Sequence, residues 1–157
     1  MYFNRSPQLA TDYYQLSMSN VYVKEGKDKE IAVFDLFIRN NPFKGGYTVA
    51  AGLKQVIEFL TQVRFENEDI ERIRRNHPEL TKDFLEYLRT FRFTGEVYGV
   101  PEGTIVFPQE SILRIKAPIV EAQIVETPLL SIINHQTLIA TKASRIVEAA
   151  EGDQVLE

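Results

Sequence analysis

The chain has 157 residues, a formal net charge of −4 at pH 7 and no cysteine. A chain of this length can close one hydrophobic core, so a single domain is the starting expectation, and the sequence is equally compatible with a piece of a larger protein. The negative charge gives no long-range attraction for nucleic acid, and the lack of cysteine excludes disulfides and thiolate zinc sites. The sequence has neither a signal-peptide pattern nor a run of roughly 18 apolar residues. We therefore expect a soluble, cytoplasmic protein without nucleic-acid or membrane partners.

The first elements follow from apolar spacing and turn residues. Residues 13–25 have helical periodicity, with Thr11 or Asp12 available as the N-cap and Gly26 as the stop. The β-branched and aromatic run over residues 31–38 predicts a strand. A second short strand is expected over residues 47–51, after the turn "NNPFKGG". The Pro-Gly turn between two β-prone runs predicts an antiparallel hairpin. The glycines and lysine of this turn lack the spacing of a phosphate-binding loop.

Helices dominate the middle of the chain, and short strands follow them. Helical patterns begin at Leu53 and recur around residues 69–75 and 82–90, with Pro78 as a breaker, and these helices are expected to cover one face of the sheet. Residues 96–118 contain short β-prone runs between prolines and glycines, which predicts a β-meander. Thr127 and Pro128 are typical of an N-cap and first turn, so a last helix is expected from there to about residue 150. "DQVLE" then resembles the start of another strand.

The last predicted helix has an apolar face and a polar stripe beside it. The apolar face, expected to be core, comprises Leu129, Ile132, Ile133, Ile139, Ala140, Ala143, Ile146, Val147 and Ala150. The stripe contains Asn134, Thr137, Thr141, Arg145 and Glu148. Its uncharged members are unusual for a solvated stripe and suggest a partly buried polar partner. The alternative is that the threonines bond back to the preceding helical turn while Asn134 meets solvent. The sequence leaves both interpretations open.

Four long segments closely resemble the amino-terminal part of nicotinate phosphoribosyltransferases. They are "LATDYYQLSMSNVYVKEG", "AVFDLFIRNNPFKGGYTVAAGL", "VPEGTIVFPQESILRIKAP" and "VETPLLSIINHQTLIATKASR". The resemblance implies an α/β (α+β) amino-terminal domain with a β-rich, hammerhead-like module. A long helix would lead from it into an irregular α/β barrel. The implied division is an amino-terminal domain over residues 1–126, followed by the connecting helix and the start of a truncated barrel over residues 127–157.

The same resemblance implies an activity, which is the formation of nicotinate mononucleotide from nicotinate and phosphoribosyl pyrophosphate, coupled to ATP hydrolysis. This reaction is a step of NAD salvage. The implied cofactors are Mg²⁺ and ATP, and the implied assembly is a homodimer. The family's arginines, phosphate-binding turns and phosphorylated histidine belong to the barrel. Neither His77 nor His135 matches the context of that histidine, so both are interpreted as structural, and this chain offers no catalytic or metal-binding residue.

Tyr14 matches the family tyrosine that reaches the nicotinate ring from a neighbouring subunit. An aromatic face can stack on an electron-poor pyridine ring while its hydroxyl stays in water. The alternative is that Tyr13 and Tyr14 both merely anchor the first helix. Asp12 could orient Tyr14, although helix capping alone explains it.

The polar stripe gives the remaining candidate residues. Asn134, Thr137, Thr141 and Arg145 are expected to face the missing barrel or to support a site, with packing favoured over ligand contact. Two functional hypotheses therefore compete. One is a portion of the phosphoribosyltransferase that is inactive by itself, and the other is a non-catalytic α/β interaction or subunit-assembly module.

Overall fold

A computed structural model describes residues 7–155 of the chain. Short 3₁₀ turns lie at Pro7–Ala10 and Pro42–Lys44. The longer elements, in chain order, are α1 (Tyr13–Lys24), β1 (Ile31–Phe37), β2 (Thr48–Val49), α2 (Leu53–Gln62), α3 (Asn67–Asn76), α4 (Lys82–Thr90), β3 (Glu96–Gly99), β4 (Ile105–Val106), β5 (Ser111–Pro118) and α5 (Ile119–Ala149). The fold is thus mixed α/β, with small sheets and one long carboxy-terminal helix, as the sequence predicts. Within residues 7–155, no helix combines the length and apolar character needed to cross a bilayer.

The strands form two small antiparallel sheets. One has the order β1-β5-β3, and the other contains β2 and β4. The predicted β1–β2 hairpin is therefore wrong, as is the meander, because β4 leaves the sheet that contains β3 and β5. The physical reason lies in the partners of β2. One edge pairs with β4, and backbone N–H groups on the other side bond to side chains of α5, so no edge is left for β1.

Helices α2, α3 and α4 begin within two residues of where the sequence predicts them, but they do not cover a β1–β2 pair. Helix α2 packs against α5, α3 packs against α4, and α4 packs against α1. The amphipathic faces of these helices place Val56, Ile70 and Phe84 in the core, each with no exposed surface. The helices therefore assemble around one another and around α5.

Helix α5 begins eight residues before the predicted N-cap. It runs without interruption through Thr127 and Pro128, so neither residue starts a helix. The proposed division between residues 126 and 127 falls inside this helix, and the domain assignment stays a prediction. After Ala150 the chain turns at Gly152, which has a φ of 99°. Residues 153–155 form no strand, and the rest of the expected strand lies outside the described residues.

The two halves of α5 bury different side chains. Its first half is apolar and enclosed, with Val125, Leu129 and Ile133 at most 3% exposed. In its second half the predicted core face is wrong, because Ile139 and Val147 are 56% and 60% exposed. The threonines of the polar stripe, Thr137 and Thr141, are buried instead, with 1% and 0% exposure.

The buried threonines bind the backbone of the β2 segment. Thr141 Oγ1 accepts a hydrogen bond from Val49 N at 2.9 Å. Thr137 Oγ1 accepts from Ala51 N at 3.2 Å and donates to Ala51 O at 3.1 Å. The opposite edge of β2 pairs with β4, so α5 acts as the second neighbour of a very short strand. The polar-partner interpretation is confirmed for both threonines, whereas Asn134 is exposed, as the alternative expects.

A buried carboxylate fastens the loop between α4 and β3. Glu121, in the first turn of α5, is 6% exposed and accepts hydrogen bonds from Thr94 N at 2.6 Å and Thr94 Oγ1 at 3.0 Å. Burial raises the pKa of the Glu121 carboxyl, and the two Thr94 bonds oppose that rise.

Replacing Thr141 by valine keeps the side-chain shape and removes the acceptor for Val49 N. We expect Thr141→Val to lower the free energy of unfolding by about 1–3 kcal/mol, because a buried N–H loses its partner. Urea denaturation measures this loss. Thr61→Val is the matched control, since Thr61 is an exposed helical threonine that bonds only to its own preceding turn. Equal losses in the two variants would contradict the role assigned to Thr141.

The raised pKa of the Glu121 carboxyl predicts how the stability of the fold depends on pH. Its pKa in the folded chain lies above the usual value of 4.5, so between these two values the folded state holds more protons than the unfolded state. This group's contribution to stability therefore falls as the pH rises from about 4.5 through the raised pKa. Unfolding measured across this range should show a smaller decline for Glu121→Gln than for the parent. Parallel curves would exclude the effect.

Candidate functional site

The start of α1 is fixed where proline interrupts the backbone bonding of α5. Pro128 has no N–H, so the carbonyl of Ile124 lacks the donor that an ordinary residue at this position would supply. The hydroxyl of Thr11 donates to that carbonyl at 3.2 Å. The segment that precedes α1 is thus attached at the point where Pro128 interrupts the helical hydrogen bonds of α5.

Asp12 strengthens this attachment instead of capping α1 with its side chain. It occupies the N-cap position, as the sequence allows, with a φ of −73° and a ψ of 150°, but its side chain makes no capping bond. Its carboxylate accepts a hydrogen bond from the Thr127 hydroxyl at 3.1 Å. Asp12 and Thr11 therefore both bind α5 next to Pro128, which brings Tyr14 close to Glu126.

Tyr14 keeps nearly half of its surface accessible while its hydroxyl is held. The residue is 48% exposed, and its hydroxyl donates to Glu126 Oε1 at 3.4 Å. The Tyr14 hydroxyl oxygen also accepts a hydrogen bond from Gln15 Nε2 at 2.8 Å. The pKa of the Tyr14 phenol is raised, first by desolvation and then by the negative charges of Glu126 and Asp12. The phenol is therefore neutral at physiological pH, and its ring is available for a stacking contact.

Tyr13 has the anchoring role that the sequence allowed for both tyrosines. Its ring stacks on His77, with centroids 4.4 Å apart and an interplanar angle of 21°. Its hydroxyl donates to Glu79 Oε1 at 2.5 Å, and this bond is the largest cause of a raised Tyr13 pKa. His77 thus packs against α1, which agrees with its structural interpretation.

Two neighbouring pockets lie between α5 and β1, and we refer to them together as the cleft. Its first part has a volume of about 230 Å³, and its second part about 460 Å³. Leu130 lines both parts. Glu126, the partner of Tyr14, belongs to the first part, and the predicted residues Asn134 and Thr137 belong to the second. The hydrogen-bond partner of Tyr14 and part of the polar stripe therefore line neighbouring pockets.

Arg39 also lines the second part of the cleft, and sequence analysis did not select it. Within residues 7–155 its guanidinium has no ion pair and no side-chain hydrogen bond. Asn40 lies beside it in the same lining. The sequence feature that could have identified it is an arginine that directly follows a half-buried strand and starts a turn. An unpaired guanidinium next to amide groups suits an anionic ligand.

Arg145 and the buried threonines hold the loop that borders this cleft, and the expected contact with a barrel stays a prediction. The Arg145 guanidinium donates to the carbonyls of Pro42 at 3.3 Å and of Phe43 and Tyr47 at 3.5 Å. It fills the space next to Gly45, where an added Cβ would lie 1.5 Å from Arg145 Nη2. A role in supporting a site stays a prediction for Asn134, Thr137, Thr141 and Arg145.

The described residues offer no metal site of their own. Among residues 7–155, no three histidine, aspartate or glutamate side chains gather closely enough to hold a metal ion. The Mg²⁺ implied by the resemblance stays a prediction.

Comparison with known proteins identifies the family. Residues 9–134 match the family model described as the nicotinate phosphoribosyltransferase (NAPRTase) N-terminal domain. The nicotinate phosphoribosyltransferase of Bacillus subtilis is 46% identical over 150 residues, which are 96% of this chain and 30% of the relative. Nicotinate phosphoribosyltransferase 1 of Arabidopsis thaliana is 43% identical over 138 residues, covering 87% of this chain and 25% of that relative.

A solved structure agrees with these sequence matches. The crystal structure of human nicotinic acid phosphoribosyltransferase superposes with a TM-score of 0.84 at 34% identity, over 93% of this chain and 30% of that one. The chain thus spans roughly a third or less of the proteins it matches. It belongs to the nicotinate phosphoribosyltransferase family and resembles the amino-terminal part of its longer members.

Proposed function

We propose that this chain is the amino-terminal portion of an enzyme that forms nicotinate mononucleotide from nicotinate and phosphoribosyl pyrophosphate, coupled to ATP hydrolysis, in cytoplasmic NAD salvage. The observation that carries the proposal is the half-exposed ring of Tyr14, held against α5 by its hydroxyl. In a homodimer, this ring would stack on nicotinate bound in the partner subunit. Such a contact contributes about 0.5–1.5 kcal/mol beyond the area that it buries.

The cleft beside Tyr14 suits the second substrate. Phosphoribosyl pyrophosphate is strongly anionic, and Arg39, whose guanidinium finds no partner among residues 7–155, lines the wider part of the cleft. Asn40 and Asn134 add amide donors on the same lining. In this proposal the chain binds and orients the substrates, while the groups that stabilise the reacting centre come from polypeptide beyond residue 157.

The exposed half of α5 supports the presence of such further polypeptide. Ile139, Ile146 and Val147 recur at helical spacing and are 56%, 36% and 60% exposed. An apolar helix face of this kind normally packs against another element. We propose that an irregular α/β barrel covers it, with the two small sheets forming part of a hammerhead-like module.

Tyr14→Ala in a full-length enzyme that carries this sequence should lower kcat/KM for nicotinate by a factor of about 5 to 150. This range corresponds to about 1–3 kcal/mol for the lost stacking contact and buried area. Steady-state kinetics with nicotinate as the varied substrate measure the effect. Tyr13→Ala is the matched control, since the Tyr13 ring stacks on His77, and it should reduce stability more than nicotinate use. An unaltered specificity constant in Tyr14→Ala would count against the substrate role.

The 157-residue chain by itself should not form nicotinate mononucleotide. Phosphoribosyl transfer needs positioned cations around pyrophosphate and a stabilised oxocarbenium-like charge, and residues 7–155 assemble no such set. An assay with labelled nicotinate, phosphoribosyl pyrophosphate, ATP and Mg²⁺ tests this, with the remaining polypeptide supplied in trans as the positive control. Product formed by the chain alone at an enzymatic rate would refute the proposal. No product with both parts present and folded would favour a non-catalytic module.

A further inference from the structure

Two glutamines are buried together between α1 and α5. Gln15 has no exposed surface, and Gln123 is 5% exposed. Burying an amide is unfavourable unless its polar atoms find partners, and leucine at either position would fill the space without that requirement. The side chains bond to each other, with Gln123 Nε2 donating to Gln15 Oε1.

The pair also has a partner outside the core. Gln15 Nε2 donates to the Tyr14 hydroxyl at 2.8 Å, and that hydroxyl donates to Glu126 Oε1 at 3.4 Å. A directed chain of hydrogen bonds thus runs from Gln123 through Gln15 and Tyr14 to Glu126. It starts in the core and ends at a residue that lines the cleft.

These hydrogen bonds occupy the polar atoms of the Tyr14 phenol. The hydroxyl hydrogen points to Glu126, and one lone pair receives the Gln15 amide, so little hydrogen-bonding capacity is left for a ligand. Because the ring is held at its hydroxyl by these bonds and at Cβ by the backbone, it can rotate only about the line that joins these two points. The contribution of Tyr14 to a ligand therefore comes from its ring face.

We propose that Gln15 and Gln123 are positioning residues that act through the Tyr14 hydroxyl, holding the tyrosine ring in the orientation needed to stack on the pyridine substrate. This inference rests on the proposed function, because it needs Tyr14 to contact nicotinate. The buried amide pair would hold the ring in one orientation although nearly half of the residue is exposed.

A double-mutant cycle in the full-length enzyme tests the proposal. Gln15→Met keeps the side-chain length and removes the amide, and it should lower kcat/KM for nicotinate about threefold to tenfold, the range expected for one hydrogen bond. Tyr14→Phe removes the hydroxyl and should have a similar effect. If Gln15 acts through that hydroxyl, Gln15→Met has no further effect in the Tyr14→Phe background. The KM for phosphoribosyl pyrophosphate should stay constant in all four proteins.

Ser19→Ala is the control for a purely structural effect. Ser19 lies one turn after Gln15 on α1, is fully buried, and its hydroxyl has no partner within the described residues. Its replacement should leave nicotinate kinetics unchanged. If Gln15→Met fails to fold, Gln123→Met, which frees Gln15 from its buried partner, replaces it in the same cycle.

The outcomes are distinguishable. Equal, additive losses from Gln15→Met in both backgrounds would overturn the positioning role, as would wild-type nicotinate kinetics in a folded Gln15→Met protein. If Tyr14→Ala also leaves nicotinate use unchanged, the proposed substrate contact itself fails. If Tyr14→Ala impairs nicotinate use and Gln15→Met does not, only the positioning role is lost.

Discussion

The arrangement of the candidate site depends on one missing hydrogen bond inside α5. Pro128 frees the carbonyl of Ile124, and the hydroxyl of Thr11 takes the place of the absent N–H. Because Asp12 adds a bond to Thr127, the segment before α1 is attached at the proline break by two side chains. The position of Tyr14 follows from this attachment, since it is only two residues further along the chain.

The same helix organises the opposite end of the cleft by a different means. There α5 offers buried threonine hydroxyls to the backbone of β2, and Arg145 holds the turn between β1 and β2. Because of these bonds, the two-residue strand β2 has a hydrogen-bonding partner on both edges. The cleft is therefore bounded by elements fixed to α5, which explains why this helix is long, continuous and only partly apolar.

The helices could be predicted from local sequence patterns, whereas the pairing of the strands depends on contacts between residues that are distant in sequence. The amphipathic patterns of α2 and α4 and the β-branched run of β1 were sufficient to locate these elements. The hairpin and the start of α5 were predicted wrongly for physical reasons. The bonds from the β2 backbone to Thr137 and Thr141 join positions far apart in the sequence, and Pro128 suggests a helix start unless the Thr11 contact is known. Tyr14 was selected through family resemblance, while Arg39, Gln15 and Gln123 emerged only from burial and geometry.

The most direct test of the proposed substrate contact is ¹⁹F NMR of a full-length enzyme with 3-fluorotyrosine incorporated at position 14. Titration with nicotinate should change the chemical shift of this probe in a saturable manner, because the substrate ring would lie against the labelled ring. A probe at Tyr98, which is 56% exposed on β3, controls for effects of the added ligand on a distant surface ring. We expect a change at position 14 and none at position 98. An unchanged position-14 signal at nicotinate concentrations that saturate turnover would contradict it.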